Sequence, residues 1–250
     1  MYQNELQFFK SLFIESYRLF CGKRDQIFSK AAMDIVTATD LDIEKYVTEK
    51  IMEAYPQDHI HSEEFHSNEP LTDRTWIIDP IDGTFNFSTK SPHFGLQGAF
   101  WDKGELQFSV IYLPQLNELY EAVLGKGAFL NSERITVSKR NLENSIVSFG
   151  DFPHSRPKDA EDQMKAFTAV RPKIAKIRMF GASSVDFSYF ASGRTEGVVL
   201  FTKNKWDIAP GLLLAKEAGA ITLDENGNPY TFESRSIFAV NSMELYHSFQ

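Results

Sequence analysis

The chain has 250 residues, 42% of them hydrophobic and 24% charged, and its formal net charge is −8. This composition predicts a folded globular protein and excludes predominant disorder. The acidic balance argues against binding to nucleic acid or to an anionic membrane, and we expect the basic pairs Lys23-Arg24 and Lys139-Arg140 to be ordinary surface charge. The single cysteine, Cys21, allows no intramolecular disulfide, and no uncharged apolar stretch could span a bilayer, so we expect a cytoplasmic protein.

The first elements follow from apolar periodicity. Residues 6–20 carry apolar side chains at helical spacing, which predicts an amphipathic opening helix. A short strand is expected over 34–37, followed by a helix that begins near Thr39-Asp40 and ends before Pro56. Residues 59–65 are expected to form a brief strand ending in Glu63-Glu64, whose side chains would point to opposite faces.

Three histidines, His59, His61 and His66, lie in and just after this strand. Their spacing is irregular and no cysteine accompanies them, so they do not match a zinc site and are expected to face solvent. Taken alone, the acidic pair Glu63-Glu64 fits a plain acidic loop better than a binding site.

The most informative stretch is Trp76–Thr84. Its first three residues are apolar and aromatic or β-branched, which predicts a short buried strand. Asp79 is expected to end this strand, because Pro80 biases it toward extended geometry and offers no N–H to a sheet. The chain would then leave the sheet with the carboxylates of Asp79 and Asp82 close together.

The two residues that follow suit a phosphate group. Gly83 lets the backbone approach a ligand closely or take a conformation that other residues resist. Thr84 offers a hydroxyl and a backbone N–H where a helix can begin, and helix N-termini bind anions. Two acids and an anion-binding turn in one place indicate a magnesium-and-phosphate site. An Asx turn with a helix cap is the structural alternative.

The remaining elements divide into two kinds. Residues 94–101, 105–112 and 119–124 are expected to form an antiparallel meander. Beyond residue 140 strands and helices alternate, which predicts an α/β half. The strands are expected over 146–149, 174–179, 197–201, 220–223 and 237–240, and the helices over 159–170, 183–191 and 207–218.

Four acids, Glu63, Asp79, Asp82 and Asp207, stand at the ends of apolar elements, where a cleft could form. Brought together without cations, they would repel one another and carry a heavy desolvation penalty. Divalent cations would relieve this repulsion, and all-oxygen ligation favours magnesium or manganese over zinc.

These segments, at their spacing, resemble the inositol monophosphatase family over nearly the whole chain. The matching segments are D-x-V-T-x-x-D as Asp34–Asp40, the double Glu as Glu63-Glu64, W-x-x-D-P-x-D-G-T as Trp76–Thr84, and W-D-x-A-x-G as Trp206–Gly211. The family consists of magnesium-dependent, lithium-sensitive phosphatases of small phosphomonoesters. The resemblance therefore implies a phosphoric monoester hydrolase that activates water with two metal ions.

The resemblance also implies a set of metal ligands. A first magnesium ion is expected to bind Glu63, Asp79 and the carbonyl of Ile81. A second is expected to bind Asp79, Asp82 and Asp207. Glu63 would help to hold a third ion through water, and manganese could replace magnesium.

Catalytic and substrate-binding residues carry over in the same way. Thr84 and Asp40 are expected to orient and deprotonate the attacking water, and Glu63 completes the catalytic set. The backbone amides of Gly83 and Thr84 are expected to hold the phosphate, and Lys30 matches a lysine near the family's active site. The substrate-binding set is Asp82, Gly83, Thr84, Gly181, Ala182, Ser183 and Asp207.

The fold implied by the resemblance is an α/β layered sandwich with alternating helix and sheet layers. We expect a single domain over 1–250, with an α+β half over about 1–140 and an α/β half over about 141–250. The expected partners are a small phosphorylated substrate and a second copy of the chain in a homodimer, with no nucleic acid and no membrane.

Two positions depart from the family pattern. Ser62 stands where a Gly usually precedes the double Glu, and Leu200 stands where inositol phosphatases commonly carry a Glu that binds ring hydroxyls. Leu cannot accept those hydrogen bonds, so the substrate stays open. Inositol monophosphate or a related polyol phosphate, fructose 1,6-bisphosphate, 3'-phosphoadenosine 5'-phosphate, NADP and histidinol phosphate are all candidates. A regulatory, partner-binding protein is the alternative of another class.

Overall fold

A computed structural model describes residues 2–21, 26–31 and 34–250, except the side chains of Ala31 and Asp34. The pair Lys23-Arg24, expected to be surface charge, lies outside the described residues. Within those ranges, no helix combines the length and the apolar character needed to cross a membrane.

The N-terminal half builds a seven-stranded sheet with helices beside it. Its elements are α1 (Gln3–Phe20), β1 (Ile27–Ala31), β2 (Asp34–Thr37), α2 (Ala38–Ala54), β3 (His59–Ser62), β4 (Thr75–Asp82), α3 (Thr84–Ser88), β5 (Gly95–Asp102), β6 (Glu105–Leu113), β7 (Glu118–Val123), β8 (Gly127–Leu130) and β9 (Glu133–Ile135). Strands β3 to β9 follow chain order in this sheet. Strand β3 is parallel to β4 and every later pair is antiparallel, so the predicted meander is confirmed.

The C-terminal half builds a second, mixed sheet. Its elements are β10 (Ile146–Phe149), α4 (Pro157–Val170), β11 (Lys176–Arg178), α5 (Ser183–Ala191), β12 (Gly197–Leu200), α6 (Lys205–Glu217), β13 (Ile221–Leu223), β14 (Ile237–Val240) and α7 (Met243–His247). The strand order is β11-β10-β12-β14-β13. Strands β11, β10 and β12 are parallel, and β14 runs antiparallel to both β12 and β13.

Side-chain alternation along the central strands produces the layers. In β4, Trp76 and Ile78 pack with α1 and α2, whereas Ile77 packs on the opposite face with α5 and α6. In β12, Val198 joins the α5 and α6 cluster, whereas Val199 packs toward α4 and α7. Because alternate side chains of a strand point to opposite faces, each sheet has helices on both sides. The expected α/β layered fold is confirmed, in the order helix, sheet, helix, sheet, helix.

Strand β4 differs from its prediction. It continues through Pro80 to Asp82 instead of ending at Asp79. Asp79 pairs with Gln97 and Asp82 with Gly95, so three steps on β4 face two on β5. This bulge at the proline absorbs the missing N–H while the strand continues. Both aspartates therefore lie in the rigid sheet and not in a loop beyond it.

Two expectations about β3 and the residues that follow it are wrong. Strand β3 ends at Ser62, so strand alternation does not govern Glu63 and Glu64, and both carboxylates turn to Lys30. His61 is buried and not solvent-facing. Its Nδ1 lies 2.7 Å from the carbonyl oxygen of Glu69, and its ring packs 5.4 Å from that of Trp206, measured between centroids.

Candidate metal centre and active site

Three of the predicted acids meet at the ends of two elements. Asp79 and Asp82 lie at the end of β4, and Asp207 lies in the first turn of α6. One carboxylate oxygen from each lies within 4.8 Å of the others. In the described part of the chain, no Lys or Arg forms an ion pair with any of the three. The structure thus gathers three negative groups without a cation of its own.

Asp79 is held at one oxygen and left open at the other. Gln97, a buried amide on β5, donates from Nε2 to Oδ2 of Asp79 at 3.2 Å and to Oγ of Ser183 at 2.9 Å. Oδ1 of Asp79 is buried and accepts no hydrogen bond from any described group. Burial raises the pKa of Asp79 well above its usual range, and the charges of Glu63, Asp82 and Asp207 raise it further.

Asp82 is the best-held acid of the three. Oδ1 accepts from the backbone N–H of Ser183 at 3.2 Å and from its hydroxyl at 3.1 Å. Oδ2 accepts from the backbone N–H of Ser184 at 2.7 Å and from the Ser184 hydroxyl. Burial still raises the pKa of Asp82 to about 6, against the lowering effect of these four donors. The start of α5 therefore fixes the orientation of this carboxylate.

Asp207 receives fewer donors. The hydroxyl of Thr202 donates to its Oδ2 at 3.0 Å. Burial, followed by the charges of Asp82 and Glu63, raises the pKa of Asp207 to about 8. In the absence of a cation, burial and the neighbouring carboxylates therefore favour the protonated form of this carboxyl.

Glu63 lies close to these acids but outside the group of three. Lys30 Nζ lies 2.9 Å from Oε1 of Glu63 and 2.5 Å from Oε1 of Glu64. Burial and the Glu63 charge raise the pKa of Glu64 to about 7. Glu44 of α2 holds this segment by accepting from the backbone N–H groups of Glu64 and Phe65, both at 2.8 Å.

The predicted pair for activating water is assembled. The hydroxyl of Thr84 lies 3.2 Å from Oδ1 of Asp40 and 3.2 Å from the carbonyl oxygen of Ile81. Thr37, the N-cap of α2, donates to Oδ2 of Asp40 from its backbone N–H at 3.1 Å and from its hydroxyl. Burial raises the pKa of Asp40 to about 6, although Thr37 opposes the shift.

Gly83 lies directly after β4, where the chain contacts the segment before α5. Its φ is 87°, and a Cβ there would lie 2.9 Å from Cβ of Ala182 and 3.3 Å from the carbonyl oxygen of Gly181. Another side chain would therefore be strained and would collide with this segment. Nδ2 of Asn86 ties the two together by donating to the carbonyls of His93 and Phe180, both at 2.7 Å.

A cavity of about 410 Å³ opens beside the acids, and its lining includes Asp82, Asp207 and the predicted contacts Gly181, Ala182 and Ser183. Leu200 lines it too, so the side chain that replaces the usual Glu does face this space. Every residue of the predicted site is thus brought to one region of the molecule.

Sequence reasoning missed three groups that support this region: Gln97, Ser184 and Glu44. Gln97 offered a signal, because it is an uncharged polar residue inside the apolar strand 94–101. Glu44 stands in the amphipathic helix α2, where a polar residue carries no such signal. Ser184 stands in α5, whose residues are nearly all buried, beside two other serines that look the same in the sequence.

The donor set fits magnesium. Asp79, Asp82 and Asp207 are hard oxygen donors that converge without a protein cation, and Oδ1 of Asp79 is buried without a partner. A buried carboxylate oxygen in that position is unfavourable unless a cation or a proton meets it. All-oxygen coordination excludes the sulfur-rich and imidazole-rich sites that select softer metals.

Comparison with known proteins agrees with these motifs. The model of the inositol monophosphatase family matches residues 10–249. A fructose-1,6-bisphosphatase/inositol-1-monophosphatase of Thermotoga maritima is 34% identical over 226 residues, covering 89% of this chain and 84% of that protein. A Haemophilus influenzae protein named Nus factor SuhB is 39% identical over 225 residues, covering 88% and 84%.

The fold agrees as well. The structure of a Thermotoga maritima IMPase superposes with a TM-score of 0.88 and 30% identity, covering 99% of this chain and 97% of that one. The match extends over both sheets and the site between them, so the resemblance inferred from the motifs is confirmed. The chain belongs to the inositol monophosphatase family.

Proposed function

We propose that this protein is a magnesium-dependent phosphatase that hydrolyses a small phosphomonoester. The observation that carries the proposal is the convergence of Asp79, Asp82 and Asp207, three carboxylates without a protein cation. Asp82 and Asp207 also line a cavity that reaches the segment 181–183. The family membership supports the same reaction class. Phosphoryl transfer depends mainly on positioning and on neutralising charge, and this site is arranged for both.

The metal ligands we propose are Glu63, Asp79, the carbonyl of Ile81, Asp82 and Asp207, for two to three ions. Magnesium, or manganese in its place, would neutralise the phosphate and the departing alcohol oxygen and lower the pKa of water. Lys30 Nζ lies 2.9 Å from Oε1 of Glu63, so Oε2 is the oxygen that would bind an ion while this contact is kept.

Thr84 and Asp40 orient and deprotonate the attacking water. The Thr84 hydroxyl donates to Asp40, so its lone pairs can accept a hydrogen bond from the attacking water. The proton of that water then passes by way of Thr84 to Asp40. A pKa raised to about 6 makes Asp40 a stronger base than an ordinary carboxylate while it is still ionised at neutral pH.

The phosphate and the alcohol portion of the substrate have separate contacts. The backbone N–H groups of Gly83 and Thr84, at the start of α3, hold the phosphate oxygens. Gly181, Ala182 and Ser183 contact the alcohol, because they line the cavity beside the acids. Inositol monophosphate and related polyol phosphates lead the candidates, ahead of fructose 1,6-bisphosphate, 3'-phosphoadenosine 5'-phosphate, NADP and histidinol phosphate.

We include a homodimer in the proposal. Phe85 and Met179 are 54% and 45% exposed on segments that border the site. Single exposed apolar side chains are common on monomers, so this part of the proposal rests on the resemblance to a family whose members usually form homodimers. Light scattering on the purified protein measures the oligomer directly, and a monomer at all concentrations would contradict this part of the proposal.

The direct test is phosphate release with Asp82→Asn. This variant keeps the shape of the side chain but removes a proposed ligand charge, so we expect activity to fall by at least about a hundredfold with the fold intact. Wild type should release phosphate in magnesium, lose activity in chelator, and be inhibited by lithium. Near-normal turnover by a correctly folded Asp82→Asn would overturn the site.

The 39% identity to a protein named Nus factor SuhB favours a second candidate, a Nus-factor role. Complementation of a SuhB-deficient Haemophilus influenzae strain tests it, with wild type and Asp82→Asn in parallel. Rescue by both proteins would assign a role independent of catalysis. Failure of both would count against that role. The phosphatase proposal would still be judged by the phosphate-release assay alone.

A further inference from the structure

One buried acid has no part in the mechanism above. Asp186 lies one turn into α5, its side chain is fully buried, and it lines the cavity together with Leu200. Neither carboxyl oxygen accepts a hydrogen bond from any residue the structure describes. The nearby hydroxyl of Ser148 makes a long contact of 3.4 Å with the carbonyl oxygen of Gly197, and it is the one donor whose effect reaches Asp186. An isolated buried carboxyl is unfavourable, so it marks a place where a ligand group can fit.

The electrostatics of Asp186 agree with this isolation. Burial raises its pKa well above the usual range, and the charges of Asp82 and Asp151 act in the same direction. The Ser148 hydroxyl, as a hydrogen-bond donor, has the opposite and smaller effect. One hydroxyl does not satisfy two buried carboxyl oxygens, so a further hydrogen-bond donor brought to this carboxyl would relieve an existing penalty.

The charged groups around the cavity disfavour a second anion. Asp151 and Asp186 are acids of the lining that lie outside the metal group, whereas its cationic side chains are His154 and Arg156. Arg156 is already engaged, because its guanidinium donates to Asp159 at 2.8 Å and to the carbonyl of Phe201 at 2.6 Å. Exposed His154 is the remaining cationic candidate in the described lining, which is too little to neutralise a further phosphate.

Part of the cavity wall is apolar. Phe152, Pro153, Leu200 and Phe201 all line the cavity. A volume of about 410 Å³ suits a substituted six-membered ring or a compound of similar size. A ring would pack against the apolar wall while its polar substituent met the carboxyl.

We propose that Asp186 is the recognition residue for the leaving alcohol, and that the substrate is a phosphomonoester whose alcohol carries a hydroxyl or ammonium donor and no second anionic group. Asp186 would thereby supply the acceptor that Leu200 cannot. This inference rests on the proposed function, since it assumes that the cavity receives the alcohol portion of a phosphomonoester.

The test is a substrate series built on one ring. Cyclohexyl phosphate is compared with its hydroxy, amino and phospho derivatives, each as positional isomers, using the full chain in magnesium. We expect kcat/KM for the best hydroxy or amino isomer to exceed that of the unsubstituted ester by at least about tenfold. The bisphosphates should be the poorest substrates, because their second phosphate would lie beside Asp151, while Arg156 is already paired with Asp159.

Two variants assign the preference to Asp186. In Asp186→Leu, which removes the acceptor, the ratio of donor-bearing to unsubstituted ester should fall to about one. Asp186→Asn keeps an acceptor without the charge, so it should retain the hydroxy preference and lose most of the amino preference. Glu244→Gln, an exposed carboxylate lost from α7, is the matched control and should keep the wild-type ratios.

The outcomes separate this inference from the proposed function. No phosphate release from any ester by wild type would overturn the proposed function and this inference with it. Release without preference, a preference for the bisphosphates, or unchanged ratios in a folded Asp186→Leu would overturn the inference alone. Thermal unfolding of each variant shows whether it is folded, and Asp186→Asn provides the assignment if Asp186→Leu does not fold.

Discussion

The acids of the site and the acids buried elsewhere differ in what surrounds them. Asp58 accepts from Arg74 at 2.6 and 2.9 Å and from Nε1 of Trp76 at 2.9 Å. Glu196 likewise accepts from Arg140 and from the backbone N–H of Ile146, both at 2.7 Å. Asp79, by contrast, has one neutral donor and an open oxygen.

This difference separates stability from function. A buried carboxylate with its own cation and donors holds two parts of the fold together, and its removal leaves those partners unpaired. A buried carboxylate without them destabilises the free protein and is useful when a ligand supplies the missing charge. The same residue type therefore has opposite effects on the free energy of unfolding in the two regions.

The largest effect on stability should come from replacing one acid of each kind and comparing the two variants. We expect Asp58→Ala to lower the free energy of unfolding by about 3 kcal/mol, because it leaves Arg74 and the Trp76 indole without their acceptor. Asp79→Asn should keep or raise stability when this is measured in chelator, and it should abolish turnover when this is assayed in magnesium. Denaturant titration of both variants is the measurement. A comparable loss of stability in Asp79→Asn would remove the distinction.

The next effect concerns the amide that orients Asp79. Gln97→Leu removes the donor shared by Asp79 and Ser183. We expect magnesium affinity, measured by calorimetry, to fall by about tenfold or more. Gln163→Leu is the matched control, since that buried amide donates to the Gly150 carbonyl at 2.6 Å and to none of the acids. Equal losses in both variants would mean that Gln97 acts only through packing.

The acids of the site, which have no protein cation, should also make stability depend on pH. A folded-state pKa of about 8 for Asp207, above the ordinary value of about 3.9, contributes stability that is full below that ordinary value and is lost as pH rises through 8. In chelator, the stability of Asp207→Asn relative to wild type should therefore rise between pH 5 and pH 9. We expect this rise to be at least about 1 kcal/mol, or 2–4 °C in Tm. Magnesium should abolish this rise, and a constant difference across the range would contradict the assignment.

The smallest effect concerns substrate choice. Leu200→Glu places a carboxylate in the cavity wall, and we expect it to raise the preference for inositol 1-phosphate over other esters by about threefold to tenfold. Leu200→Gln separates the effect of the acceptor from that of the charge. If the preference does not change in a folded variant, Leu200 does not face the substrate.

The local elements were predicted well where periodicity was strong. The opening helix, the hairpin of β5 and β6, and the helices α5 and α6 lie within a few residues of their expected bounds. The short strands β8 and β9 and the helix α7 were missed, because segments of three to five residues carry too little periodicity. The division into two halves near residue 140 stays a prediction.

The sequence by itself identified the acids that the fold brings together. Asp79, Asp82 and Asp207 could be selected as a metal group because motif spacing and the chemistry of carboxylates restrict where such residues occur. Thr84 and Asp40 were selected in the same way, and the structure brings their side chains together.

Only the tertiary structure decided what surrounds those residues. That Gln97 would meet Asp79, that His61 would be buried against Trp206, and that Asp186 would stand without a partner depends on contacts between distant segments. Burial and partnership are properties of packed layers, and a local pattern records only which face a side chain prefers. The sequence specifies which residues are acids, whereas the fold determines how deeply each acid is buried and which groups contact it.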